Sequence, residues 1–313
     1  MNQETRLLST SRADIDAAAA LLRSGALVSF PTETVYGLGA DARNGAAVAR
    51  VYEAKGRPSF NPLIVHVPDL ATATQFAQFN DAAEGLAAAF WPGPLTLVLP
   101  LRAGHTLSSL VTAGLDSVAL RVPAHPTAQA LLQAFDGPVA APSANPSGRI
   151  SATTADHVLA GLSGRIAAVV DDGPCAVGLE STIIGLTGPA PTLLRAGGLP
   201  AEAIEAALGM PLQTGDTGKI TAPGQLSSHY APGAPVRLDA TAAQGDEVML
   251  GFGDVGGELN LSPSGDLTEA AANLFEHLHQ LDARGRPIAV APIPLKGLGL
   301  AINDRLRRAA APR

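Results

Sequence analysis

The chain has 313 residues, a formal net charge of −7 and a pI near 5.5. This length accommodates one large and one small domain, each with its own core. The acidic balance argues against a protein that mainly coats nucleic acid, because phosphate binding needs a dense cationic face. A single cysteine, Cys175, excludes an intramolecular disulfide and a cysteine-based zinc site and fits a reducing compartment. Because the chain has neither a basic start followed by an apolar run nor a long apolar stretch, we expect a cytoplasmic protein with no membrane partner.

Helical and strand patterns alternate through the first two thirds of the chain. Ser11 and Asp14 predict the start of a helix that ends near Gly25, and Asn44 predicts the start of another that ends at Gly56. Predicted strands cover residues 26–30, 63–67, 95–99, 118–122, 139–141, 166–170 and 182–186, and further helices cover 82–90, 127–135 and 154–159. This alternation predicts an α/β domain with a mixed sheet, because the last strands follow one another without helices.

The composition changes at residue 209. We expect a catalytic domain over residues 1–208, a linker rich in Gly, Pro, Thr and Ser over 209–235, and a small α/β domain over 236–313. The small domain has predicted strands at 247–252 and 288–291 and predicted helices at 267–281 and 302–310. Its end is interpreted as a weakly basic tail that contains Arg305, Arg307, Arg308 and Arg313.

Polar clusters interrupt the apolar pattern at predicted strand ends, where α/β sheets usually hold ligands. The first, Thr32-Glu33-Thr34 and the two glycines that follow, has an ordinary capped turn as its alternative interpretation. The second contains Lys55 and Arg57 in a segment that prolines stiffen. Rigid cations suit phosphates, although two cations at a helix end also complement the helix dipole.

Two more clusters follow along the chain. Arg121 interrupts an apolar strand, so it has either a partner carboxylate near the strand end or an anionic ligand. Residues 141–148, with Ser143, and then Ser151 offer neutral donors to phosphate or carboxylate oxygens, or form ordinary turns. Residues 178–182 enter a strand and residues 194–198 leave one, and each is a weak signal alone.

The sequence motifs and residue spacings of several other kinds of active site are absent. The chain lacks a Gly-rich segment ending in Gly-Lys-Ser or Gly-Lys-Thr, a Gly-x-Gly-x-x-Gly after the first strand and a nucleophile elbow. His277 and His279 lie two residues apart on a predicted helix and so face different directions, which argues against a shared metal. Cys175 is interpreted as a packing residue.

In combination, these segments resemble the YrdC-like family of threonylcarbamoyl-AMP synthases, in its long form with a C-terminal domain. The resemblance runs from about Arg12 to Ala311 and rests on motifs in family order: PTETVYGLG, KGRPSFNPLIVHV, WPGPLTLVL, ALRVPAHP, APSANPSG, GLESTII and LLRAGG. The linker sequence SSHYAP and the tail sequence GLGLAINDRL resemble the second part of the long form. Gln225 departs from relatives that carry methionine after the linker Pro-Gly.

The resemblance implies a twisted mixed sheet with flanking helices and a smaller Rossmann-like C-terminal domain. It implies an enzyme that joins L-threonine, bicarbonate and ATP into L-threonylcarbamoyl-AMP, pyrophosphate and water, the first step toward N6-threonylcarbamoyladenosine in tRNA. A downstream threonylcarbamoyl-transferase complex would accept the product, and tRNA would be contacted weakly or indirectly. Mg²⁺ would be held by the ATP phosphates rather than by protein ligands.

The resemblance also assigns roles to individual residues. Residues facing the reacting groups would be Lys55, Arg57 and Arg121. Threonine would bind at Thr34, His66, Arg121 and Ser181. ATP would bind at Arg57, Asn61, Ser117, Ala141, Ser143, Ser151, Arg195 and Tyr230, with Tyr230 closing over the site.

These residue types suit the implied reaction, since its nucleophiles belong to the substrates and the protein must align anions and offset their repulsion. One alternative is an RNA-binding module without its own chemistry, which the acidity and the 4% aromatic content disfavour. Another is a carbamoyl transferase that starts from carbamoyl phosphate and needs neither bicarbonate nor ATP.

Overall fold

A computed structural model describes residues 4–58, 60–214 and 229–312, so residues 215–228 of the predicted linker lie outside the described residues. In the first part of the chain the strands are β1 Arg6–Leu8, β2 Val28–Phe30, β3 Gly37–Asp41, β4 Ile64–His66, β5 Leu95–Pro100, β6 Ser117–Arg121, β7 Val139–Ala140, β8 Ala168–Val170, β9 Thr182–Gly185, β10 Thr192–Arg195 and β11 Gln213–Thr214. The helices are α1 Arg12–Arg23, α2 Gly45–Lys55, α3 Leu70–Ala73, α4 Asp81–Phe90, α5 Ser109–Thr112, α6 Pro126–Phe135, α7 Ala155–Leu162 and α8 Ala201–Leu208.

Within the described ranges, these strands form one eleven-stranded sheet in the order β1-β8-β2-β3-β7-β4-β6-β5-β9-β10-β11. Parallel pairs such as β4 with β6 and β5 with β9 alternate with antiparallel pairs such as β5 with β6. The prediction of a mixed sheet with flanking helices is therefore confirmed. No helix in the described part of the chain is both long and apolar enough to span a bilayer.

Two of the predicted helix ends are confirmed by their caps. The Ser11 hydroxyl accepts a hydrogen bond from the Asp14 amide at the start of α1, and the Asn44 side chain accepts from two amides at the start of α2. Helix α2 ends at Gly56, whose left-handed conformation (φ 61°) suits glycine. This end places Lys55 and Arg57 where the chain turns back toward the sheet.

Strand β3 was not predicted, because its sequence, Gly-Leu-Gly-Ala-Asp, lacks the branched apolar residues typical of strands. The strand pairs with β2 in antiparallel fashion. A Cβ atom on Gly39 would lie 2.9 Å from the Phe30 ring and 3.0 Å from the Val28 carbonyl oxygen. The glycine therefore permits close packing of the hairpin that carries Thr32 to Thr34 in its connection.

The second unit consists of β12 Val236–Arg237, β13 Val248–Gly251, β14 Leu259–Asn260, α9 Leu267–Asp282, β15 Ile288–Val290 and α10 Leu298–Ala310. Its described strands form a four-stranded, wholly parallel sheet in the order β12-β15-β13-β14, as a Rossmann-like α/β unit requires. The short strands β12 and β14 were not predicted, since two residues show no periodicity. The predicted boundaries at residues 208 and 235 stay a prediction.

The two units pack tightly against each other at Gly178. A Cβ atom on Gly178 would lie 2.4 Å from the Ala271 carbonyl oxygen on α9, and Gly178 has a φ of +72°. Apolar side chains of the large unit, Val35, Ile150 and Leu179, belong to the core of the second unit. Helix α9 therefore lies directly on the segment that leads into β9.

Candidate active site

A cavity lies on one face of the large sheet. The predicted site residues that line it are Thr34, Arg57, His66, Arg121, Ala141, Ser143, Ser181, Arg195 and Tyr230. Residues without an assigned role also line it: Thr32, Val35, Gly37, Ile64, Pro142, Glu180 and His229. The sheet thus brings together segments that are far apart in the sequence, as its strand order dictates.

Strand register places the threonine-site candidates side by side. Strands β4 and β6 run parallel, and His66 is the register partner of Arg121. Ser181 directly precedes β9, and its hydroxyl is 2.7 Å from the Thr96 hydroxyl on β5. Strands β4 and β6 end at this edge of the sheet, whereas β5 and β9, which run in the opposite direction, begin there, so these polar groups converge.

Arg121 is buried, with 3% of its surface exposed. Its Nη1 donates to the Thr34 hydroxyl at 2.8 Å, and its Nε donates to the Gly93 carbonyl at 3.3 Å. Its Nη2 lies 2.7 Å from a Glu33 carboxylate oxygen but makes no well-directed hydrogen bond there. The separation of the two atoms is short enough for a hydrogen bond, but their direction is unsuitable for one, so the contact is an ion pair. Arg121 therefore has both a partner carboxylate and a face toward the cavity.

Arg195 holds the segment around Ser181 in place. Its Nε and Nη2 donate to the Ser181 carbonyl at 3.1 and 2.8 Å, and Nη2 also lies 3.2 Å from the Ser181 hydroxyl. A Cβ atom on Gly197 would lie 2.3 Å from the Glu180 carbonyl oxygen. The segments around Ser181 and Arg195 can approach this closely only because Gly197 has no side chain.

Arg57 and Lys55 differ in the groups that their side chains contact. Arg57 lines the cavity and donates to the Asn61 and Pro62 carbonyls at 3.3 and 3.0 Å, and burial lowers its pKa to about 10. Lys55 lies behind the cavity wall, where its ammonium donates to the carbonyls of Ser143 and Asn145. Burial and the Arg57 charge lower the Lys55 pKa well below its ordinary value. In this conformation Lys55 holds the 141–148 loop rather than facing the cavity.

Both cavity histidines are neutral near physiological pH. Burial, followed by the Arg121 charge, lowers the pKa of His66 to about 3. Burial also lowers the pKa of His229 to about 3, against the attraction of Glu180. A neutral imidazole can accept as well as donate a hydrogen bond, so neither ring adds to the positive charge of the cavity.

Three other predicted ATP residues do not line this cavity. Asn61 is buried, and its amide nitrogen and oxygen have no hydrogen-bond partner among the described residues. Ser151 is fully buried, and its hydroxyl donates to Glu180 at 2.5 Å. Ser117 lies at the other end of β6 and lines a second cavity of about 490 Å³.

The second cavity lies on the same sheet face as the first. Ser117, Ala119 and Arg121 alternate along β6, so their side chains share one face. Between the two cavities lies a small apolar cluster of Ile64, Val98, Ala119 and Ile183. Ile64 lines the first cavity and Val98 lines the second. The two cavities therefore lie on either side of this cluster, which is called the apolar strip below.

Tyr230 lines the first cavity. It is 1% exposed and has a left-handed backbone conformation with φ 59°, which is costly for a non-glycine residue. Its ring stacks on Phe275 of α9 at 5.6 Å and lies beneath the Arg305 guanidinium of α10 at 5.2 Å. The cavity measures about 40 Å³, which is room for only a few water molecules. This volume is too small for a ligand the size of ATP.

The residues that sequence reasoning missed are Glu33, Glu180 and Arg305. Each belongs to a motif of the resemblance, but a motif does not say which carboxylate pairs with which cation. The only available signal for Glu33 was the expectation that a buried Arg121 needs a partner. Arg305 was interpreted as part of a basic tail, yet it is 0% exposed.

Two family models match the chain. One, described as "Telomere recombination", matches residues 20–197, and the other, described as "Threonylcarbamoyl-AMP synthase, C-terminal domain", matches residues 199–311. Curated relatives named threonylcarbamoyl-AMP synthase include one from Pyrococcus abyssi, 42% identical over 95% of this chain and 94% of the relative. Another, from Bacillus subtilis, is 41% identical over 98% of this chain and 95% of the relative.

Solved structures agree with the sequence relatives. A crystal structure of P. abyssi Sua5 complexed with L-threonine is 39% identical and has a TM-score of 0.91, with 98% of each chain covered. The E. coli YciO structure is 21% identical, covers 62% of this chain and 96% of that chain, and has a TM-score of 0.57, so it shares the fold alone. From both matched segments and the full-length relatives, we conclude that the chain belongs to the threonylcarbamoyl-AMP synthase family.

Proposed function

We propose that this enzyme joins L-threonine, bicarbonate and ATP into L-threonylcarbamoyl-AMP, pyrophosphate and water, the first step of N6-threonylcarbamoyladenosine formation in tRNA. The observation that carries the proposal is the burial of three guanidinium groups, Arg57, Arg121 and Arg195, around one cavity. An acidic protein that buries so much positive charge gains from anionic ligands there. The names of its relatives and the L-threonine in the P. abyssi structure support the same conclusion.

Threonine fits the part of the cavity around Arg121. The guanidinium can take the amino-acid carboxylate in a two-pronged contact, and its Nη2 atom now meets Glu33 without a good hydrogen bond. Thr34, His66 and Ser181 supply uncharged hydrogen-bonding groups beside it. The neutral His66 ring can accept a hydrogen bond from the threonine hydroxyl.

ATP fits the other wall and the neighbouring apolar strip. Arg57 and Arg195 offset the triphosphate charge, while Asn61 has buried amide atoms that lack protein partners in the described part of the chain. The strip of Ile64, Ala119 and Ile183 can support a flat purine, which would extend toward Ser117 in the second cavity. This placement accounts for an assigned ATP residue that lies outside the first cavity.

The chemistry requires alignment rather than a protein nucleophile. Bicarbonate takes up a proton and loses water to give carbon dioxide. The neutral threonine amine attacks the carbon, and its nitrogen then releases a proton to leave a carbamate, which balances the proton that bicarbonate took up. A carbamate oxygen then attacks the α-phosphorus of ATP, and pyrophosphate leaves with the electrons of the broken P–O bond. Arg57 and Arg195 face the phosphate charge and so stabilise the transition state electrostatically.

Mg²⁺ would be held by phosphate oxygens of ATP. In the residues that the structure describes, no three His, Cys, Asp or Glu side chains cluster as metal ligands. Glu180, a carboxylate of the cavity lining, is already bonded to Ser151 and Arg305. When bound, the ion would neutralise phosphate charge beside the two arginines.

The cover formed by Tyr230 suits a labile intermediate. Carbamates lose carbon dioxide readily in water, so exclusion of solvent raises the fraction that reaches the adenylate. Tyr230 is therefore the group that would open for substrates and close for reaction. A downstream threonylcarbamoyl-transferase complex in the cytoplasm would consume the product, with tRNA at most indirectly bound to this chain.

A labelling experiment tests this proposal. Purified protein with ATP, Mg²⁺, threonine and isotopically labelled bicarbonate should yield an adenylate that carries the label, with the mass of threonylcarbamoyl-AMP. Omission of threonine should abolish that product. A labelled adenylate that forms without threonine, or no labelled adenylate from folded protein with all substrates present, would contradict the proposal.

A further inference from the structure

Arg305 crosses from the second unit into the wall of the cavity. It lies on α10 and is fully buried. Its Nε donates to a Glu180 carboxylate oxygen at 3.0 Å, and its Nη1 donates to the Ala196 carbonyl at 2.6 Å. Asp304 balances part of its charge at 3.1 Å. One side chain of the second unit thus binds both the segment around Glu180 and the segment around Ala196.

Glu180 brings a negative charge to a cavity that must hold anions. It lines the cavity, and its other carboxylate oxygen accepts from the Ser151 hydroxyl. Ser151 and Arg195, its neighbours, are both residues assigned to ATP. A carboxylate without a counterion at this position would repel a triphosphate, and low solvent access would strengthen that repulsion.

The same helix also fixes the cover. The Arg305 guanidinium lies over the Tyr230 ring, and the Arg308 carbonyl accepts from the His229 amide at 3.2 Å. Helix α10 therefore holds both the carboxylate in the wall and the aromatic ring above it. The residues assigned to ATP that these contacts involve are Ser151, which bonds Glu180, and Tyr230, while Ser181, assigned to threonine, directly follows Glu180.

From this geometry we propose that Arg305 is a positioning residue that neutralises Glu180 and thereby makes the ATP end of the cavity able to accept a triphosphate. The inference rests on the proposed function and gives the second unit a direct part in ATP binding. Arg305 does not line the cavity, so it would act through Glu180 and Tyr230, which do. Its loss should therefore affect ATP more than threonine.

The balance of charge at Glu180 supports a pH signature. Burial raises the Glu180 pKa, but Arg305, Arg195 and the Ser151 hydrogen bond together hold it below its ordinary value. Without Arg305 the effect of burial is opposed less, so the Glu180 pKa should rise and a proton can neutralise the carboxylate as pH falls. The other titratable or charged groups facing the Glu180–Arg305 pair are present in all variants: Lys55, Arg195, His229, Tyr230 and Asp304.

Calorimetric titration of Mg·ATP into the full chain tests the inference. Arg305→Met should weaken ATP binding by at least about 30-fold at pH 8, since a buried carboxylate loses its partner. That weakening should shrink as pH falls to 6, a trend absent from the wild type. Arg305→Met combined with Glu180→Gln should bind within about threefold of wild type, because removal of a whole buried pair is nearly neutral. Arg307→Met, on the exposed side of the same helix, is the matched control and should bind like wild type.

The outcomes separate the inference from the proposed function. Equal ATP affinity of wild type and Arg305→Met, or a double variant as weak as the single one, would overturn the inference and leave the proposed function standing. If Arg305→Met does not fold, the folded double variant decides: near-wild-type affinity supports the charge argument, and weak affinity overturns it. Wild-type protein that binds no ATP would overturn both.

Discussion

The two α/β units differ in where they bury charge. Of the residues that the structure describes, the large unit buries Lys55, Arg57, Arg121, Glu180 and Arg195 close to one cavity. The second unit has a core of aliphatic and aromatic side chains, and its buried charge, Arg305, points into the large unit. Buried charge is costly unless it is paired or meets a ligand. This contrast assigns the proposed chemistry to the large unit, with Arg305 of the second unit in contact with a residue of the cavity wall.

Removal of Arg121 should have the largest effect, because it takes away the proposed carboxylate partner of threonine. We expect Arg121→Ala to lower kcat/KM for threonine by at least about 100-fold, the loss typical of a buried charge-assisted contact. The KM for ATP should change far less. Arg102→Ala, which removes an exposed arginine of the same sheet region, serves as the control and should keep wild-type kinetics. Unchanged threonine dependence in Arg121→Ala would remove Arg121 from its role.

Loss of the cover should uncouple the reaction rather than stop it. In Tyr230→Ala we expect the ratio of pyrophosphate released to adenylate formed to rise by about tenfold, because water reaches the carbamate. Tyr230→Phe keeps a ring between Phe275 and Arg305 and should stay closer to wild type. The two products are measured in one assay. A wild-type ratio in Tyr230→Ala would show that the ring does not exclude water.

The contact between the units should make stability depend on acid pH. His157 of α7 stacks on His279 of α9 at 3.7 Å, and burial together with the His279 charge lowers the His157 pKa to about 4, outweighing Glu276. The unfolded chain, with a histidine pKa near 6.5, binds that proton first, so folding stability falls as pH drops from about 6.5 to about 4.

Replacement of His157 measures its contribution to the pH dependence of folding stability. His157→Phe should remove about 1–2 kcal/mol of the pH-dependent loss in unfolding free energy, after allowance for the solvent that reaches the ring. Chemical unfolding at pH 7 and pH 4.5 gives the comparison. The same loss in both proteins would show that another group causes it.

The smallest effect is expected for a charge of the second unit that does not reach the cavity. Arg237 on β12 pairs with Glu247 at 2.5 Å in a partly exposed position. Exposed ion pairs contribute little, so Arg237→Gln should leave pyrophosphate release and its threonine and ATP dependence unchanged. A marked loss of activity in this variant would break the proposed division between the two units.

The sequence predicted much of this architecture because its signals are local. The caps Ser11 and Asn44 and the apolar runs of β5 and β6 each depend on neighbouring residues. Arg121 was expected to need a partner or an anion, and the structure shows the Glu33 carboxylate beside it. The motifs of the resemblance supplied the assigned residues, most of which line one cavity.

Contacts between distant segments escaped prediction for a physical reason. Glu180 and Arg305 lie 125 residues apart, so no periodicity joins them. Four arginines near the end of the chain resemble a solvated basic surface, and only the tertiary fold shows that one of them is buried. Strand β3 was missed because Gly37 and Gly39 are typical of a turn, while Gly39 in fact lets Phe30 pack closely.

The most direct test of the central claim is pyrophosphate release from ATP by the purified full chain, with threonine and bicarbonate each added or omitted. The account predicts fast release only when both are present, because the attacking carbamate is made from both. Release at the same rate without threonine would contradict it, since the buried arginines would then serve some other nucleotide chemistry.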